Sequence, residues 1–179
     1  DEDLVCCSLG SNNKSLGALV DYDINTNIKI TLENNITRFV FGCVACKLYK
    51  SSIIHKNNIR FNEAITLNED NLFLFEYLCC NIKKITTKSD RPYHYNTEEN
   101  IGLSSRIVPI EQSTINMNLL YQSLNKLSTI YDLDINYMLN EYLCGQFYNM
   151  LRFNNSQNIS LITKTRNLNR ILHIYHVYR

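Results

Sequence analysis

A chain of 179 residues with 45% hydrophobic and 20% charged residues is long enough for one ordinary domain or part of a larger one, and too apolar to be disordered. Its formal net charge of +1 provides no field to gather nucleic acid, so no nucleic-acid partner is expected. With only 5 Gly and 2 Pro, long helices are favoured over a turn-rich β-sandwich.

The 7 cysteines include the adjacent pairs Cys6-Cys7 and Cys79-Cys80. An odd count embedded in apolar runs reads as small buried hydrophobes in a reducing cytosol, not as a disulfide framework. No run of about 18 uncharged apolar residues is present, and the first residues, Asp-Glu-Asp-Leu-Val, lack a basic leader. Neither a membrane span nor a signal peptide is therefore predicted.

Residues 3–8 form a short apolar run bounded by polar residues, the pattern of a buried strand in an α/β sheet. Residues 9–30 read as a polar loop with one weak strand near 28–30. Thr31 is positioned to cap a helix running to about Arg38, and 39–46 is a second apolar run, read as a buried strand. Ser51 and Ser52 offer a cap for a short helix ended by Asn57-Asn58, and Ile59-Arg60-Phe61 leaves it extended. Asn68 is predicted to cap a strongly apolar, largely buried helix from Glu69 to about Cys80. Residues 83–87 read as a strand, and Arg91-Pro92 introduces the extended Tyr93-His94-Tyr95.

Residues 96–114 are a polar connection, after which helical periods dominate. Leu120, Leu124, Leu127 and Tyr131 form one stripe; Ile135, Met138, Leu139, Tyr142, Leu143, Phe147, Met150 and Leu151 form a wider one. A last helix over about 165–178 has Leu168, Ile171, Leu172, Tyr175 and Tyr178 on one face. From Arg152 to Arg179 there are five basic residues and no acidic one. Such a helix has two readings: a surface helix with solvated charges, or an element that lies on anionic lipid.

Four pieces carry the chemistry: Lys-Leu-Tyr-Lys-Ser-Ser-Ile-Ile at 47–54, Asn-Ile-Arg-Phe at 58–61, Asn-Glu-Asp at 68–70 and Tyr-His-Tyr at 93–95. An acidic pair in the first turn of a helix has a purely structural use, since carboxylates complement the positive helix end by ~0.3–1 kcal/mol. The order and spacing of these pieces, however, resemble the acceptor-side half of bacterial family-2 glycosyltransferases of the GT-A fold. The resemblance covers roughly residues 1–96, and no donor-site motif falls within it. It implies a partial GT-A-type α/β sheet with flanking helices over about 1–96, followed by an all-α helical region over 97–179.

By that resemblance Asp70 is the general base that takes the acceptor's proton, with Glu69 beside it shaping the acceptor site. Lys47 and Tyr49 match the helix start near the site floor, and Tyr93 and Tyr95 match the aromatic end of the catalytic domain, as substrate contacts. Aromatic rings can stack on sugars, although a tyrosine-rich strand is more often packing. The implied reaction is inverting transfer from a nucleotide-sugar to a bacterial surface polysaccharide or glycolipid acceptor, aided by Mg²⁺ or Mn²⁺. It also implies a cytoplasmic protein that can sit peripherally on the inner face of the membrane through its basic C-terminal helix.

Asp21-Tyr22-Asp23 has the hard oxygens of a metal-binding Asp-x-Asp. In the family, though, that motif precedes the strand that here is 3–8, so a polar turn is expected and no metal ligand is assigned. Cys43-Val-Ala-Cys46 lacks a second Cys/His pair at matching spacing and reads as packing. The chain alone is thus expected to be an incomplete glycosyltransferase. The alternative is a non-catalytic remnant that serves as a protein- or membrane-interaction module.

Overall fold

The computed structural model describes residues 2–11, 18–23, 25–65, 67–95 and 108–178. The elements run β1 (Leu4–Ser11), α1 (Ile28–Asn35), α2 (Phe39–Gly42), β2 (Lys47–Tyr49), α3 (Ser51–Asn57), α4 (Glu69–Leu78), β3 (Ile85–Tyr95), α5 (Ile110–Tyr131), α6 (Ile135–Ser156) and α7 (Leu161–Tyr178). The expected 96/97 boundary lies outside the described residues.

Among the described residues the sheet has three strands in the order β2-β1-β3. The apolar run at 4–9 makes β1 the middle strand, with Leu4, Cys6, Ser8 and Leu9 all buried. It pairs parallel with β3 from Leu4↔Ile85 to Ser11↔Tyr95, and antiparallel with β2 from Leu4↔Tyr49 to Cys6↔Lys47. A parallel pair needs a long crossover, which α1–α4 supply.

Residues 83–87 and 93–95, expected as two extended pieces, meet in one strand that begins at Ile85, with Lys83 and Lys84 before it. The ladder is interrupted where Cys7↔Lys88 gives way to Leu9↔Tyr93, so β3 carries a bulge that contains Pro92. Proline has no N–H for a ladder, and a bulge is where a strand tolerates it.

Three further expectations are corrected. Residues 28–30 open a helix: the Asn27 side chain caps it by accepting from Lys29 N–H at 2.9 Å, and Thr31, Leu32, Asn35 and Ile36 bury one helical face. The β-branched Ile28 and Ile30 suggested a strand, but the cap and the helical period prevail. The run 39–46 is a single helical turn and then a turn, not a strand. Cys46 has φ +60°, a left-handed backbone that regular β-structure does not use. Lys50, rather than Ser51, is the N-cap of α3, whereas Asn58 ends that helix in the left-handed conformation (φ 50°), as the Asn-Asn pair predicted.

Polar residues stitch the loop after β1 back onto the sheet. Ser8 Oγ accepts from Leu19 N–H at 2.8 Å, Asn35 Oδ1 accepts from Val20 N–H at 2.8 Å, and Thr87 Oγ1 donates to Val20 O at 2.6 Å. Asp3 is the junction at the other end. Its carboxylate accepts from Lys83 N–H at 2.9 Å and Lys84 N–H at 3.2 Å, and meets the Lys50 ammonium at 3.3 Å.

Burial pushes the Asp3 carboxyl up, but those N–H groups and Lys50 outweigh it and hold it below the ordinary range. A depressed carboxyl contributes stability above its unfolded pKa and loses it as pH falls through the folded value. Urea unfolding midpoints should therefore decline below about pH 4, and Asp3→Asn should flatten that decline. An unchanged acid slope in the variant would remove Asp3 from the account.

One hydrophobic core runs from Leu4 of β1 through Phe75 and Leu78 of α4, Met117, Leu120, Leu124 and Leu127 of α5, and Leu143 and Met150 of α6 to Ile171 and Ile174 of α7. Buried phenols tie its layers together. Tyr131 donates to Leu78 O at 2.7 Å, and Tyr142 donates to Ile36 O at 2.6 Å. Tyr131→Phe keeps the packing and removes the hydrogen bond, so a loss of ~1 kcal/mol in unfolding free energy is expected.

Candidate functional site

The start of α4 is built by an unusual backbone and a close contact. Asn68 occupies the N-cap position with φ 63° and makes no side-chain cap, so it marks the start of α4 as expected but does not cap it with its amide. Its side-chain Oδ1 accepts from Asn71 Nδ2 at 3.4 Å instead. Asn71 in turn lies on Gly42: a Cβ there would stand 2.0 Å from Asn71 Oδ1, so only glycine lets α2 approach this closely. Glu69 and Asp70 fill the first turn, both partly buried.

Asp70 Oδ2 receives Val44 N–H at 3.4 Å, which ties the carboxylate to the turn after α2. Lys47 reaches the same turn. Its ammonium donates to Cys43 O and lies 5.9 Å from the Phe41 ring centre. Burial pulls the Lys47 ammonium below the ordinary lysine range, while Cys6, Cys43 and Asp70 act in the opposite direction. The Tyr49 ring packs edge-on against Phe73 at 5.4 Å and Tyr77 at 4.9 Å.

The Tyr49 hydroxyl is buried and has no hydrogen-bond partner among the described residues. Burial drives its phenol far above the ordinary range, with Cys6 and Asp70 adding to the shift. It is thus a neutral donor near a carboxylate. Lys47, Tyr49 and Asp70 are brought together, although 47–49 is a strand and the helix begins only at Ser51.

Tyr93 borders this group less directly. It is half exposed at 50%, pairs with Leu9, and its backbone N–H bonds the Cys46 sulfur. Tyr95 pairs with Ser11, and its side chain lies outside the described residues. Sequence reasoning missed Gly42, Val44 and Asn71 as the wall behind Asp70. The signal was a lone glycine inside an apolar run, a mark of close approach.

Asp21 and Asp23 serve as structural groups. Asp21 accepts from Ser89 N–H and from Ser89 Oγ, the latter at 3.3 Å, inside the β3 bulge. Asp23 accepts from Asn25 N–H at 2.8 Å, closing the polar turn the sequence predicted. No group of three or more His, Cys, Asp or Glu side chains among the described residues could hold a metal ion. The described residues thus supply no ligand set for the Mg²⁺ or Mn²⁺ that the resemblance implies.

A three-stranded mixed sheet flanked by helices, with an acidic helix start beside an antiparallel edge strand, defines a partial glycosyltransferase-like α/β fold. Among solved structures the chain is similar to the glycosyltransferase S. aureus TarS, residues 1–349. Against its complex with UDP-GlcNAc the TM-score is 0.54 at 16% identity, covering 96% of this chain and 49% of that one. Against the UDP complex the TM-score is 0.53 at 17% identity, covering 96% and 47%. The chain thus spans about half the length of these structures, and the likeness is one of fold. No protein-family model and no curated protein matches the sequence.

Proposed function

We propose that this chain is the acceptor-side part of a family-2-like glycosyltransferase, with residues 1–96 as half of the sugar-transfer domain and 97–179 as its helical companion. The observation that carries the reading is the convergence of Asp70, Lys47 and Tyr49 at the start of α4. TarS, of similar fold, has been crystallised with UDP-GlcNAc and with UDP, which supports a nucleotide-sugar as the donor class.

A sugar hydroxyl is a weak nucleophile and must lose its proton as it attacks. In the proposed step the acceptor oxygen bonds the anomeric carbon from the face opposite the leaving group. The anomeric C–O bond breaks, the nucleoside diphosphate departs with the electron pair, and Asp70 takes the acceptor proton. The configuration is inverted. Lys47 keeps positive charge beside the carboxylate, and Glu69, Tyr49, Tyr93 and Tyr95 contact the glycan acceptor, a surface polysaccharide or glycolipid.

The reading is tested by transfer of labelled sugar from UDP-GlcNAc and related donors to surface-polysaccharide and glycolipid fractions, using the chain and any longer form that contains it. No transfer from any donor overturns it. Calorimetric titration of the 179-residue chain with UDP-GlcNAc and Mn²⁺ is expected to show affinity no tighter than about millimolar. Micromolar binding would mean that the chain holds a donor site of its own.

Peripheral attachment at the cytoplasmic face of a membrane is part of the proposal. No helix among the described residues is long and apolar enough to cross a bilayer. α7, however, exposes Leu161, Ile162, Leu168 and Leu172 in a segment without acidic residues. Co-sedimentation with vesicles containing about 30% anionic lipid, lost at about 0.5 M salt, is the expected result. Equal binding to neutral vesicles would remove the electrostatic part.

A further inference from the structure

The face of α4 turned away from Asp70 lines a concave surface. Asp70, Phe73 and Tyr77 are spaced i, i+3 and i+7, and Phe73 and Tyr77 pack on β2 through Tyr49. Leu72, Glu76 and Cys79, spaced i, i+4 and i+7, instead line a groove of about 1010 Å³ between the end of α3, α4 and α5.

Leu72 and Leu119 contribute to an aliphatic floor. The Asn58 and Gln122 amides and the Ser123 hydroxyl also line the groove, and among the described residues none of the three makes a side-chain hydrogen bond within the chain. Glu76 and Lys126, which also line it, attract one another but form no ion pair among the described residues. These two are the charged residues of the lining, and their charges cancel.

This combination selects a ligand chemistry. A balanced pair offers no net field to a phosphate or a polyanion. Amides, a hydroxyl, a carboxylate and an ammonium together both donate to and accept from vicinal hydroxyls. An aliphatic floor suits the C–H face of a pyranose, and the volume is at the upper end of the range for small-molecule sites.

We propose that the groove between α3, α4 and α5 binds a neutral oligosaccharide and so holds a segment of glycan apart from Asp70. Sugar hydroxyls bridge Glu76 to Lys126 and engage Gln122, Asn58 and Ser123. The choice of a glycan over a peptide rests on the glycosyltransferase reading; the choice of the groove does not.

The test is titration of the 179-residue chain with chitotetraose and maltotetraose, and with tetragalacturonate as the anionic comparison, followed by calorimetry and amide chemical shifts. At least one neutral tetramer should bind with a dissociation constant of about 0.1–1 mM, moving amides of α3, α4 and α5. Gln122→Ala and Lys126→Met should each weaken it at least about fivefold, in proportion to a lost hydrogen bond or charge. Ser123→Trp, which fills the groove, should abolish it, with far-UV circular dichroism confirming the fold. Asp70→Asn should leave it unchanged.

No saturation by either neutral tetramer at about 10 mM overturns the proposal. So do tighter binding of tetragalacturonate, undiminished affinity in Ser123→Trp, or loss of affinity in Asp70→Asn. Binding that survives while every transfer assay fails would sink the enzymatic reading and leave the groove standing.

Discussion

Asp70→Asn is expected to lower sugar transfer by about 10²–10⁴-fold, with donor affinity unchanged, in whichever form of the protein turns over. Asparagine has nearly the same shape and can still accept from Val44 N–H, now at 3.4 Å from the carboxylate, so the turn behind α4 is kept. What the amide cannot do is take a proton. Glu69→Gln, one residue earlier in the same turn, should act mainly on acceptor KM, by less than about tenfold, because a shaping residue contributes binding rather than proton transfer.

Full turnover in Asp70→Asn would refute the base assignment and return the acidic pair to its role as a complement to the helix end.

The largest stability effect is expected from Phe75→Ala, a loss of about 3–5 kcal/mol in unfolding free energy. Phe75 is fully buried, and its ring meets Tyr142 edge-on at 5.4 Å and 89°. The pair joins α4, which carries Asp70, to α6, while the Tyr142 hydroxyl continues to Ile36 O beyond α1. Truncation leaves a cavity at the meeting point of sheet-side and helical layers. A loss of that size is a large share of the roughly 5–15 kcal/mol total typical of a domain. Urea denaturation followed by circular dichroism measures it, and Tyr142→Phe, costing ~1 kcal/mol, separates the hydrogen bond from the ring contact. A loss below about 1 kcal/mol for Phe75→Ala would show that the two layers do not depend on each other.

The helices that bury a wide stripe were legible in the sequence. Leu120, Leu124, Leu127 and Tyr131 are all buried in α5, as their spacing required, and α4 is as apolar inside as its composition suggested. Expectation failed where local chemistry and tertiary contact outweigh hydrophobic run length. At 28–35 a side-chain cap on Asn27 decides for helix against β-branched residues. At 39–46 the decision comes from Gly42 lying on Asn71 and from the positive φ of Cys46.

The site shows the same division. Asp70 and its helix start were readable because the acidic turn is local in sequence. The Val44 N–H that meets Asp70, the Cys43 carbonyl that takes the Lys47 ammonium and the orphaned Tyr49 hydroxyl were not, because only the fold brings them to this turn.

The bulge in β3 separates two jobs that one strand would otherwise perform together. Between Cys7 and Leu9, β1 advances two residues while β3 advances five, from Lys88 to Tyr93. The surplus is odd, and side chains alternate across a sheet, so the far end of β3 is set half a period away from its root. The root, with Ile85 and Thr87 buried, answers to the core. The far end, with Tyr93 half exposed, is free to change without disturbing it. The exposed margin of the sheet is therefore set in register apart from the core-facing root, and Asp21, fastened to Ser89, anchors the bulge between them.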